Sequence, residues 1–187
     1  MLDYDKDNFR VGLLRGIANP SATTGTGFVV SGPPNTNARV TGDFGSSQPG
    51  SNVFSIYTGY AALTTVKATT GVSAPINFRA RTVPNASLIG TTSAFSGAFP
   101  GGSAPASAAM EAGALYRGTL TLTRTAIGIT LSYTVERVGD GVVMMSYSAT
   151  DSGSTFTSFD TVAFYIARKS VNFDFYLSNV VVERSVQ

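Results

Sequence analysis

The chain has 187 residues, the length of one ordinary domain, with enough hydrophobic residues, 43%, to build a core. Charged residues make up only 13%, about half the usual share, so Ser, Thr, Asn and Gly must cover much of the surface. A net charge of +2, dispersed along the chain, marks no nucleic-acid or anionic-membrane surface, and the absence of His and Cys excludes Ser-His-Asp and Cys-His nucleophiles, imidazole or thiolate metal sites and disulfides.

Met1 is followed by Leu2-Asp3-Tyr4-Asp5-Lys6-Asp7, which has neither the basic nor the apolar region of a signal peptide. No run of about 20 apolar residues occurs, so no membrane span is expected. The polar, charge-poor composition is that of an exported bacterial β-protein, expected at the cell surface or secreted, as a domain cut from a larger chain and attached there to other domains.

Gly and Pro clusters bound short runs rich in Val, Ile, Thr, Tyr and Phe, which is all-β punctuation. After an acidic loop over 3–8, strands are expected at 27–31 and 38–41. Two more, at 52–57 and 60–66, flank Thr58-Gly59 as a hairpin. In 76–83, Ile76, Phe78 and Ala80 fall on one face and Asn77, Arg79 and Arg81 on the other, which is expected to be wet. Residues 84–113 read as a long loop excursion with a helical turn near 107–111, inside a single domain spanning 1–187.

From Leu115 a meander is expected, with strands at 115–125, 129–137 and 142–150. In the middle strand Ile129, Leu131, Tyr133 and Val135 alternate with Thr130, Ser132, Thr134 and Glu136. Strands at 160–168 and 173–184 close the domain, the last with a bulge near Ser178-Asn179, where the apolar positions change parity. Phe54, Phe78, Phe164 and Phe175 are expected in the core. The count of short strands, with no Cys-Trp-Cys core, points to a two-sheet antiparallel β-sandwich of jelly-roll type rather than an immunoglobulin fold.

The stretches Leu115-Tyr116-Arg117-Gly118-Thr119-Leu120-Thr121-Leu122-Thr123-Arg124, Phe159-Asp160-Thr161-Val162-Ala163-Phe164 and Phe173-Asp174-Phe175-Tyr176-Leu177-Ser178-Asn179-Val180-Val181-Val182-Glu183 resemble the C-terminal half of concanavalin A-like jelly-roll modules of secreted bacterial carbohydrate-active proteins. The closing strand of such modules often reads Asp-Asn-Val, where this chain has Ser178-Asn179-Val180. The resemblance implies a carbohydrate-binding module attached to a catalytic or cell-surface protein, with lyases and hydrolases as a smaller share of the family.

The residues themselves supply candidate ligand contacts. Tyr57, Tyr60, Tyr116 and Tyr147 would pack phenol rings on the C–H face of a sugar. Arg79, Arg81, Arg117 and Arg137, if they project from one sheet face, would pair with carboxylates or sulfates of an acidic polysaccharide. Asp3, Asp5 and Asp7 are spaced like the first ligands of a calcium loop, although Asn8 and Leu14 stand at its Gly and Glu positions, so a structural Ca²⁺ is the one cofactor to test. Glu111, Glu136 and Glu183 form no glucanase-like cluster. A β-eliminating lyase would instead need Arg79 or Arg117 beside Tyr116 or Tyr133. The leading expectation is a non-catalytic polysaccharide-binding module with a Tyr and Arg groove; the alternatives are such a lyase and a structural or adhesin module.

Overall fold

The computed structural model describes residues 9–15, 23–24, 28–29, 57–65, 76–82, 88–90, 93, 95–96, 98–103, 111, 113–154, 156, 158–166, 177 and 179–183. Its strands are β1 (Phe9–Arg15), β2 (Thr23–Thr24), β3 (Phe28–Val29), β4 (Thr58–Thr64), β5 (Ile76–Arg81), β6 (Ala98–Ser103), β7 (Tyr116–Thr125), β8 (Gly128–Arg137), β9 (Val142–Asp151) and β10 (Thr161–Ile166). They form a five-stranded sheet in the order β10-β1-β4-β5-β6, a β2-β3 ribbon and a three-stranded β7-β8-β9 meander, with every pairing antiparallel. No α-helix occurs among the described residues, and none there is long and apolar enough to cross a membrane.

The two larger sheets face each other, so the molecule is an all-β sandwich. Phe9, Val11, Tyr60, Ala62, Ile76 and Phe78 of the wide sheet pack against Ile129, Leu131, Tyr133, Val135 and Met145 of the meander. Aromatic contacts continue across this layer: Phe78 stacks on Tyr147 at 5.6 Å between centroids, and Tyr60 meets Phe156 edge-on at 5.0 Å.

The wide sheet is covered on its other side as well. Leu14, Ala61, Leu63 and Ala163 bury against Ile89 and Phe95 from the segment 88–96. Ser96 is tied to the Ala80 carbonyl through its amide at 2.9 Å and its hydroxyl at 2.8 Å. The face of β5 expected to be wet is therefore an interior: Asn77 and Arg81 are buried and Arg79 half-buried. Alternation reports which residues share a face and is blind to what later lies on that face.

Four further readings change. Thr58-Gly59 is no turn but the start of β4. Gly59 has φ +144°, and a Cβ there would stand 2.4 Å from the Leu13 carbonyl oxygen, so glycine is required by the approach of β1. The excursion over 84–113 contains β6, an edge strand, which is where a Pro such as Pro100 is tolerated. Glu111 is not helical, and the rest of that expected turn lies outside the described residues, as do 38–41, 52–56, Phe54, Phe175 and Asp3, Asp5 and Asp7. Phe164 faces the sandwich side beside Val11, yet is 37% exposed, because β10 is the edge of a five-stranded sheet that a three-stranded one cannot fully cover.

The closing strand is not formed over 179–183. Asn179 takes a left-handed conformation with φ +53°, which redirects the chain near the expected bulge, and Val180, Val181 and Val182 are exposed.

Candidate functional site

The eight candidate ligand residues fall on different surfaces. Tyr60 is fully buried in the sandwich layer, where its hydroxyl donates to Asp151 Oδ2 at 2.7 Å. Burial is the main reason its phenol is held well above the usual ionisation range. Tyr147 and Tyr116 are half-buried toward the same layer, and the Tyr116 hydroxyl accepts from the Glu111 amide at 2.7 Å. Tyr57, Arg79 and Arg81 lie on the opposite side of the wide sheet, with the 88–96 segment.

Arg81 is fully buried. Its Nε donates to the Leu88 carbonyl at 2.8 Å and its Nη1 to the Tyr57 carbonyl, and burial brings the guanidinium down to about 10. Arg10, missed in the sequence, does similar work: it donates to the Ile89 carbonyl at 2.7 Å and lies 5.0 Å over the Tyr165 ring. These two arginines pin the covering segment through its backbone carbonyls, which is a structural duty. The Arg79 Nε is buried with no hydrogen-bond partner among the described residues.

Arg137 is engaged at the β8–β9 turn. Nε and Nη2 grip Asp140, the latter at 2.6 Å, and Nη1 meets Glu111 at 2.7 Å. The Arg137 bond holds the Asp140 carboxyl below its ordinary value, with help from the Val142 amide. Only Arg117 of the eight stands exposed on a sheet face, its side chain 64% accessible, with Glu136 at 3.8 Å.

None of the pairings that a lyase would need shares a face. Arg117 points outward from the meander while Tyr116 and the buried Tyr133 point inward, and Arg79 is on the far side of the wide sheet from both. Among the described residues, no group of three or more acidic side chains is arranged to hold a metal ion.

Register creates a different surface on the outer side of the meander. Thr123, Thr130 and Thr150 lie abreast across β7, β8 and β9; Thr121, Ser132 and Ser148 form the next row; Thr119, Thr134 and Ser146 form the third. Each row is three hydroxyls wide, and every position in the three rows is Ser or Thr. A fourth row continues with Arg117, Glu136 and Val143. The reason is local: each strand alternates hydroxyl with larger apolar residue, and the two tight turns align the three alternations in phase.

The β8 and β9 hydroxyls pair across the strands, Thr130 with Thr150 at 2.7 Å, Ser132 with Ser148 at 2.8 Å and Thr134 with Ser146 at 3.1 Å. Those of Thr119, Thr121 and Thr123 on edge strand β7 have no such partner among the described residues. The inward side of the same strands is also tightly specified, since a Cβ on Gly118 would come within 2.9 Å of the Tyr133 hydroxyl. The alternation of Ser and Thr was visible strand by strand; the two-dimensional array needed the register.

Comparison with known proteins adds no relative: no family model, no curated protein and no solved structure matches the chain.

Proposed function

We propose that the chain is a non-catalytic polysaccharide-binding module that holds its ligand against the outer face of the β7-β8-β9 meander. The observation that carries this reading is the three-by-three array of Ser and Thr hydroxyls, bordered by Arg117 and Glu136. A sugar polymer presents repeated hydroxyls that both donate and accept, and a regular array of short hydroxyl side chains answers them at low conformational cost, because Ser and Thr lose little rotamer freedom on binding. Arg117 adds a planar donor at the border of the array. The fit of such a surface to an exported protein that meets glycans agrees with the composition, and we propose that location for it.

The test is migration through native gels containing dissolved polysaccharides, with the polymer examined afterwards for chain cleavage. Retention with the polymer intact is expected. Thr121→Arg, which places a long side chain in the middle row, should reduce retention at least tenfold. Thr82→Arg, at an exposed position after β5, should not. Equal retention of both variants would remove the face from consideration, and cleavage of the polymer would replace binding with catalysis.

A further inference from the structure

We infer that the polymer held on this face is neutral; this rests on the polysaccharide reading above and narrows its ligand.

The first argument is a count of protons in the middle row. The Ser148 hydroxyl donates to the Leu131 carbonyl at 3.0 Å. That hydroxyl also lies 2.8 Å from the Ser132 hydroxyl and has one proton, which either contact consumes, so outward it offers lone pairs alone. Carboxylate and sulfate oxygens accept hydrogen bonds and donate none, so at Ser148 they meet an acceptor and gain nothing. A sugar hydroxyl donates there. Thr121, next in the same row and without a hydrogen-bond partner among the described residues, either donates or accepts.

Charge points the same way. The array carries no ionisable group, and the bordering row sets Arg117 opposite Glu136, 3.8 Å apart, so a guanidinium available to an anionic polymer already has a carboxylate beside it. The arginines that would have made a basic face are elsewhere: Arg81 is buried beneath the 88–96 segment and Arg137 is committed to Asp140 and Glu111.

The experiment compares gels containing a mixed-linkage β-glucan, a galactomannan and an arabinoxylan with gels containing polygalacturonate, alginate and chondroitin sulfate, each with and without added salt. Retention is expected in at least one neutral gel and unchanged by salt, because no ion pair is there to be screened. Thr121→Val and Ser132→Ala, checked by thermal melting to be folded, should each weaken that retention about five- to tenfold. Retention confined to the acidic gels and lost with salt would overturn the neutral ligand while leaving polysaccharide binding in place. Migration unchanged in all six gels would overturn both, and unchanged retention of the two folded variants in a neutral gel would overturn the middle row as the contact.

Discussion

At the scale of single residues, the polar side chains with the largest structural effect are inside. Arg81 satisfies the carbonyls of Leu88 and Tyr57 while fully buried, so Arg81→Met should leave two carbonyls unpaired and cost about 2–4 kcal/mol in chemical denaturation. Tyr60→Phe removes the donor to Asp151 between the sheets and should cost about 1–3 kcal/mol. Burial holds Tyr60 above the ordinary phenol value of 10 and pushes Tyr133 up to about 12. A raised value means that the fold favours the neutral phenol. That contribution is complete below pH 10 and is lost as pH rises through the folded values, once the unfolded chain can ionise. Ultraviolet titration should therefore show two tyrosines ionising only well above pH 10, together with alkaline unfolding; ionisation of Tyr60 and Tyr133 near pH 10 would contradict it. The sequence offers Tyr60 and Arg81 as surface ligands, since nothing in a single strand distinguishes a polar residue facing water from one facing a segment that folds over it.

At the scale of elements, legibility followed burial on one face or two. β7, β8 and β9 were read nearly to the residue because each has one buried side and one wet side, which yields clean alternation. β1 is less legible: Phe9, Val11 and Leu13 alternate with Arg10 and Gly12, but Leu14, buried on the opposite side of the sheet, breaks the alternation after five residues. The sequence places β4 but makes its first residues a turn, because glycine after threonine is ordinary turn chemistry. Gly59→Ala should disturb the β1–β4 pairing and cost about 3 kcal/mol or more, seen as a lower melting temperature, given the positive φ and the blocked Cβ. The β8–β9 turn carries a pH dependence of its own. Since Arg137 lowers the Asp140 ionisation, the stability gained from that pair is present above 3.8 and disappears as pH falls through the lowered value. Wild type and Asp140→Asn should thus differ in melting temperature at neutral pH and converge in acid.

At the scale of the whole molecule, three layers rather than two set the surfaces on offer. The wide sheet lies between the meander and residues of the 88–96 segment, which among the described residues leaves the outer side of the meander as a regular face. A polar face on an edge-strand sheet also protects against self-pairing. Replacing Thr119, Thr121 and Thr123 together with Val should keep the fold, because valine suits strands, and should create an apolar stripe on β7 that drives association detectable by light scattering. A triple variant that stays monodisperse would mean that the threonines serve ligand contact alone.

The order of residues along the chain was sufficient for an all-β architecture and for the partition of each meander strand into apolar and hydroxyl positions, because both follow from local turn chemistry and a period of two. Tertiary structure decided which polar faces stay in water and which hydroxyls stand abreast. Covering a sheet and setting the register of neighbouring strands depend on residues far apart in the chain, and no local pattern carries that information.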